Sequence, residues 1–399
     1  MCIQLAWPMK PSRIVLLGCL MPALSAWAVY APIPEQEQGK DWTITARGGI
    51  AHDSNIFGSP SGEISSMVYE FAPKIAFNSS LTAQTFVSAS YALTLDHYDN
   101  RPGEKTLDSH DFTARLDHAF SSVTSLHLSD GYSIVRNPES LLSGITLNTD
   151  QSFKRNVLDA NFVTNLAPKI GASGTFQSVD YAYDDANLAT ELDHSEELYS
   201  VAFDYALLPE VKTVAEFRHQ DILYRTGGST KDKHTDFLIG GADYAVAERL
   251  TATGRLGYQW RQRKGSSDTQ APYVEFDLKY NYAPQSFVTA GYVYTFEENS
   301  NLIQYNDTRV NRFMISVQHA LSALVIASGS IDYEPSELQG RGAQPNVAET
   351  TTRLGFALTY LPVKNWQISA SYDYDNIASD DPTRGQNRSR TGLSATFTY

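Results

Sequence analysis

From Asp41 to Tyr399 the sequence repeats one unit: a stretch of alternating apolar and polar residues, then a polar connector. Alternation with period two puts every second side chain on one face of an extended strand. In 273–282, Val274, Phe276, Leu278, Tyr280 and Tyr282 share one face, and Tyr273, Glu275, Asp277, Lys279 and Asn281 share the other. In 250–261, Leu250, Ala252, Gly254, Leu256, Tyr258 and Trp260 oppose Thr251, Thr253, Arg255, Gly257, Gln259 and Arg261. The segment 366–375 repeats the pattern, with Trp366, Ile368, Ala370, Tyr372 and Tyr374 on the apolar side.

The connectors alternate as well. Short ones (78–80, 166–169, 208–210, 283–285 and 361–365) are interleaved with long polar ones. The long ones cover 53–64, 98–106, 136–151, 184–196, 225–234, 262–271, 297–308, 334–349 and 376–388. Short turns at one end and long loops at the other are the layout of an outer-membrane barrel, with the short turns periplasmic and the long loops extracellular. Pro168, Pro209, Pro284 and Pro362 suit turns, because proline cannot donate to a strand ladder.

Alternation alone also describes a soluble sandwich, so composition has to separate the two. Apolar faces end in Trp42, Tyr258, Trp260, Tyr280, Tyr282 and Trp366, where interfacial aromatic girdles belong. The opposite faces carry Thr, Ser, Gly, Arg and Asp, which suit a wet lumen better than a packed core. The expected fold is therefore all-β: an up-and-down transmembrane antiparallel β-barrel over 41–399. Counting gives 18 strands: 42–52, 65–78, 81–97, 107–120, 124–135, 152–165, 170–183, 197–207, 212–224, 235–246, 250–261, 273–282, 286–296, 310–321, 323–333, 350–360, 366–375 and 388–399. The segments 107–120, 152–165, 170–183 and 212–224 alternate least cleanly, and 16 strands is the alternative count.

Composition removes the other classes. With 42% hydrophobic residues and a mean hydropathy of −0.31, the chain is not a helical membrane protein. Its 23 Tyr and 18 Phe exclude disorder. A net charge of −14 argues against nucleic acid as a partner, since phosphate needs a basic stripe.

At the N-terminus, Lys10 and Arg13 precede the apolar run 14–24, followed by Ser25-Ala26-Trp27-Ala28. This pattern predicts a signal peptide over 1–28, cleaved after Ala28, and a short periplasmic segment over 29–40. An uncleaved anchor, or a lipoprotein modified at Cys19, are the alternatives. Both cysteines, Cys2 and Cys19, fall inside the signal, so the mature chain has none and its charge becomes −16. Stability must then come from closure of the sheet rather than from disulfides.

Candidate pore-lining residues are Arg47, Arg115, Arg218, Arg255, Arg261, Glu275, Asp277, Lys279, Arg312, Arg353 and Asp373, all on the polar faces of strands. Rings of charge set pore selectivity; the same charges can instead pair with one another and stiffen the wall. Neither sign dominates, so no sharp ion selectivity is expected. Phe86, Tyr273 and Phe287 on the polar face either stack on sugar rings or fill space. The acidic pairs Asp184-Asp185, Glu196-Glu197, Glu297-Glu298 and Asp380-Asp381 lack the spacing of a calcium loop and read as solvated surface. No cofactor or metal is expected. The chain lacks H-E-x-x-H, G-x-S-x-G and Walker A patterns, so it does not read as an enzyme. His118, His127, His219 and His319 leave a barrel hydrolase as the minor alternative.

One segment is more specific. The first hairpin reads Arg47-Gly48-Gly49-Ile50-Ala51-His52-Asp53-Ser54-Asn55-Ile56-Phe57 and returns through Phe71-Ala72-Pro73-Lys74-Ile75-Ala76-Phe77. This hairpin, with the length and layout of the chain, resembles the putative β-barrel porin type 2 family. Asp53-Ser54-Asn55 also suits any loop start, since short polar side chains bond backbone. The resemblance implies an outer-membrane barrel associated with exopolysaccharide export, working with a periplasmic polysaccharide export protein, and it implies no catalytic residues. The final Leu393-Ser394-Ala395-Thr396-Phe397-Thr398-Tyr399 looks like the ending read by the barrel-insertion machinery. Outer-membrane lipid and lipopolysaccharide are the remaining expected partners. The function expected first is a pore for secreted exopolysaccharide or another hydrophilic solute. A general or substrate-specific diffusion porin for nutrient uptake, and a structural or adhesive barrel acting through its loops, are the alternatives.

Overall fold

A computed structural model of the chain describes residues 41–136, 152–246, 249–297 and 304–399. The expected signal peptide, the segment 29–40 and most of the connector 136–151 lie outside these residues. In chain order the elements are β1 (Trp42–Asp53), β2 (Ser66–Thr82), β3 (Thr85–Tyr98), β4 (Thr106–Ala119), β5 (Thr124–Val135) and β6 (Phe153–Ala167). Next come β7 (Ile170–Tyr183), α1 (Ala186–Leu192), β8 (His194–Leu208), β9 (Val211–Tyr224), α2 (Gly228–Lys231), β10 (Lys233–Val246) and β11 (Leu250–Arg263). The chain ends with β12 (Thr269–Ala283), β13 (Ser286–Glu297), β14 (Tyr305–Ser322), β15 (Val325–Gly340), β16 (Val347–Val363), β17 (Trp366–Ser379) and β18 (Gln386–Thr398).

Each strand pairs antiparallel with its sequence neighbours, and β1 also pairs with β18, from Thr45 opposite Thr398 to Asp53 opposite Arg390. The sheet is thus a closed 18-stranded barrel, the larger of the two expected counts. Closure gives every strand two partners and removes the edges, and it satisfies the backbone where no water is available.

The alternation sorts as expected. The apolar faces point outward: Leu256 is 66% exposed, Trp42 58% and Phe203 53%. Toward the turn end the exposed residues include Trp42, Tyr205, Tyr244, Tyr280, Tyr282, Tyr360 and Trp366; toward the loop end they include Tyr69, Tyr132, Tyr199, Tyr258 and Trp260. These two belts bracket an apolar band, as aromatic girdles do at the two membrane interfaces.

The structure corrects several connector boundaries. The short turns are tighter than expected. The residues between β2 and β3 are Ala83-Gln84, and the polar 78–80 stays in the strand, with Asn78 opposite Ser88 and Ser79 opposite Val87. Pro168, Pro209 and Pro284 each open a two-residue turn, where a φ fixed near −65° is an advantage. At the other end the strands run further than their alternation. β15 and β16 continue to Gly340 and from Val347 through most of 334–349, and β17 and β18 leave only 380–385 between them. In the same way β10 begins at Lys233, β11 ends at Arg263 and β14 starts at Tyr305. Beyond the apolar band the outer face no longer has to be apolar, so alternation fades while backbone pairing continues. The connector 184–196 contains α1, whose first N–H groups at Asn187 and Leu188 donate to the Asp185 carboxylate at 2.9 and 3.0 Å.

An arginine at Leu256, in the middle of the outward face of β11, should cost about 2–4 kcal/mol if that face meets hydrocarbon. Urea unfolding of the Leu256→Arg variant in lipid vesicles measures this; a cost near zero would place the residue outside the bilayer.

Candidate functional site

The interior face is identified by contacts that span several strands, which only a concave surface permits. Arg218 on β9 donates to the Tyr273 hydroxyl on β12 at 3.3 Å, and Arg261 on β11 reaches Asp307 on β14 at 2.7 Å. Strand parity then puts all eleven candidate lining residues on this inner face. The structure gathers most of them into ion-paired groups and does not bring them into a single ring.

The first group straddles the closing seam. Arg47 Nε lies 3.0 Å from Glu70 on β2. Asp373 stands opposite Arg390 in the β17–β18 register, and the Arg390 guanidinium donates to Asp375 at 2.6 Å. Arg388 holds the Asp53 carboxylate with several donors, including Nε at 3.0 Å, and both side chains are almost fully buried. Asp53 also accepts the Asn55 N–H at 2.9 Å, and the Asn55 amide donates to the Ser59 and Asn387 carbonyls at 2.8 and 3.2 Å. Ser54 and Ser389 exchange bonds, N–H to carbonyl at 3.0 Å and N–H to hydroxyl at 2.8 Å.

This network turns the connector 54–65 into the barrel. Ile56 is buried with Val68, Tyr98 and Leu107, which line the inner wall on β2, β3 and β4. Gly58, at φ 61°, lies so close to Gln386 that a side chain there would collide with it. The Asp53-Ser54-Asn55-Ile56-Phe57 segment is therefore an anchor for an inward-folded loop, which the loop-start reading did not anticipate.

The second group runs from β8 to β12. Arg218 pairs with Glu216 at 2.5 Å, Ser200 donates to Glu216 at 2.7 Å, and Tyr273 donates to Glu275 at 2.6 Å. Tyr273 is 7% exposed between Arg218 and Glu275, so it is wall material and not a sugar platform. Arg255 pairs with Asp243 at 2.6 Å, with Asp277 opposite Thr253 beside it. The third group centres on the buried Asp307, held by Arg261, by Lys233 at 3.4 Å and by Arg263. In the fourth, Arg312 bridges Glu297 at 3.0 Å and Glu334 at 2.6 Å.

Three candidates stand apart. Arg115 is more exposed and pairs with Asp117 at 2.8 Å, which His127 also contacts at 2.7 Å. The Lys279 ammonium sits over the Phe287 ring, 5.3 Å from its centroid. Arg353 lies between Asp332 and Asp375 in the sheet register.

The acidic pairs read as solvated surface are more engaged than expected. Asp184 faces Arg136 and Lys154, and Asp185 caps α1. Glu196 and Glu197 belong to β8 and contact His194 and Tyr199. Glu297 is the end of β13; Glu298 lies outside the described residues. Asp381 accepts the Thr383 hydroxyl at 2.7 Å and N–H at 2.9 Å, which hold its carboxyl below the ordinary value.

Sequence reasoning missed Asp53, Arg388, Asp307, Lys233, Arg263, Glu334 and the Glu349–Arg384 pair, which is bidentate at 2.7 and 3.0 Å. Most of these lie in segments read as loops. For Asp53, Lys233, Arg263, Glu334, Glu349 and Arg388 the signal that could have found them is a charge at the same parity as the inner face of the adjoining strand. Asp307 has the opposite parity to that of Arg312 and lies beside the register shift between Tyr305 and Thr308.

A family model described as "Putative beta-barrel porin 2" matches residues 43–399. No curated protein matches the chain in sequence. Among solved structures, the outer membrane protein opdK of Pseudomonas aeruginosa is 10% identical, with 90% of this chain and 99% of that one covered and a TM-score of 0.49. Acinetobacter baumannii OccAB3 is 14% identical, with 90% and 99% covered and a TM-score of 0.47. The FrpB iron transporter of Neisseria meningitidis, F3-3 variant, is 12% identical at a TM-score of 0.43; 86% of this chain matches, spanning 63% of the transporter's length.

Removing Arg388 leaves the Asp53 carboxylate buried without its charge partner, a change that costs about 3–5 kcal/mol. Arg388→Met should therefore lower the urea midpoint of the folded barrel sharply. Adding Asp53→Asn should recover part of the loss, because a neutral amide still accepts the Asn55 N–H. An unchanged midpoint in Arg388→Met would show that the pair does not anchor the seam.

Proposed function

The chain belongs to the putative beta-barrel porin 2 family, and from that premise we propose that it forms an aqueous pore passing a hydrophilic solute across the outer membrane, with secreted exopolysaccharide as the substrate. It is a bacterial outer-membrane, multi-pass β-barrel. The supporting observation is an inner wall whose charges are paired with one another in groups around the lumen. Such a wall offers many hydrogen-bonding groups and little net field, which suits a weakly charged, strongly hydrated polymer better than a selected ion. A barrel of 18 strands is also wide enough to leave a water-filled channel. In this reading residues 1–28 direct export of the chain, the turn end faces the periplasm and meets a polysaccharide export protein, and the candidate lining residues contact the moving polymer. No step of the reading is catalytic.

The inward-folded connector 54–65 favours a second reading, a diffusion channel for small nutrients, because a loop inside the lumen narrows it.

Purified barrel in planar bilayers should conduct with weak preference between cations and anions, and oligosaccharides of the exported polymer should interrupt the current. A deletion strain should retain polymer in the periplasm. A sealed barrel together with normal polymer export would overturn the proposal; impaired growth on a small solute, with export intact, would replace it with the uptake channel.

A further inference from the structure

Polar residues interrupt the outward face of β9 and β10 near the loop end. On β9, His219 and Asp221 are two apart and so share that face; on β10, His234 and Asp236 do the same. The register sets Asp236 directly opposite His219 and His234 directly opposite Asp221. Antiparallel pairing thus places four side chains in a two-by-two array, with directly opposite Cβ atoms about 5 Å apart.

The contacts within the array are not symmetrical. His219 Nδ1 lies 2.7 Å from the Asp236 carboxylate, and His219 Nε2 points the other way, 3.2 Å from Asp221 Oδ1. His234 Nδ1 also contacts Asp221 Oδ1. His219 Nε2, His234 Nδ1 and an Asp221 oxygen therefore converge, all within 4.8 Å of one another. In the neutral ring with Nδ1–H donated to Asp236, Nε2 of His219 carries a lone pair. A cation at this point would take the Nε2 lone pair of His219, the Nδ1 lone pair of His234 in its Nε2–H tautomer, and an Asp221 oxygen.

The surroundings add negative charge. Glu197 on β8 stands opposite Asp221, and Tyr199 stands opposite His219. On the β11 side, Trp260 and Gln262 stand opposite Asp236 and His234, and both are uncharged. With neutral imidazoles the array and Glu197 carry three carboxylates and no lysine or arginine on the facing positions. Tyr199 and Trp260 belong to the aromatic belt, so the array lies level with the interface between hydrocarbon and headgroups.

We propose that the outer face of β9 and β10 carries a zinc site, with His219 Nε2, His234 Nδ1 and the Asp221 carboxylate as ligands and Asp236 as the positioning residue for His219. Two imidazole nitrogens and one carboxylate oxygen are a donor set for zinc, whereas calcium and magnesium take oxygen ligands. A carboxylate on the second ring nitrogen is the usual outer partner of a ligating histidine; it fixes the tautomer and orients the ring. Three protein donors leave the fourth tetrahedral position for water.

The test uses the folded, chelator-treated full barrel in detergent, carrying a tag without histidine. Titration with zinc chloride should give one site per chain at micromolar affinity or tighter. His219→Ala with His234→Ala should weaken binding at least 100-fold, and Asp236→Asn should weaken it about 10- to 100-fold without abolishing it. Heat-modifiable electrophoretic mobility reports whether each variant is folded. Cobalt(II) added to the wild-type protein should give the intense visible bands of a tetrahedral site and zinc should displace them, a readout that needs no variant. The proposal is overturned if zinc binds wild type and the double variant equally, if cobalt gives no such bands, or if calcium and magnesium compete at equal concentration.

Discussion

Everything in this molecule depends on the pairing of β1 with β18. An antiparallel sheet of 17 such strand contacts has two open edges, and in hydrocarbon each unpaired N–H and C=O costs several kcal/mol. The pairing from Thr45–Thr398 to Asp53–Arg390 removes both edges at once. The described residues contain no cysteine, so it is this closure and not a disulfide that holds them together. At the loop end the closing strands are fastened by side chains as well as by backbone, through Asp53, Arg388, Ser54 and Ser389.

Once the sheet is closed, its two faces obey opposite rules. The outer face is apolar between two aromatic belts and turns polar beyond them. The inner face carries polar and charged residues, with buried apolar clusters such as Ile56 on Val68, Tyr98 and Leu107, and its charges are arranged as neighbours of opposite sign. A buried pair of this kind is weak evidence for stability, since desolvation offsets much of the attraction. Its effect is better described as fixing which strand and which loop lies where: Arg388 and Asp53 hold the inward loop, and Arg312 ties β13, β14 and β15 together. The same antiparallel register that pairs these charges inside brings His219, Asp221, His234 and Asp236 together outside. The lumen and the outer array are therefore separate products of one sheet geometry.

Period-two alternation from Asp41 onward carried the fold class, the strand count and the inward or outward direction of every candidate residue, including Arg255 inward and Leu256 outward. That information is local, because a strand side chain has only two faces to choose from, and one of them must suit lipid. Strand ends were legible only where the membrane demanded an apolar face; above it β15 and β16 continue with no hydropathy signal, as pairing there needs only backbone. Which charge meets which was decided by tertiary structure alone. Arg218 finds Tyr273, Arg261 finds Asp307 and Arg388 finds Asp53 across 55, 46 and 335 residues of sequence. Partners so distant are fixed by register and curvature, which are properties of the closed sheet and not of any single strand.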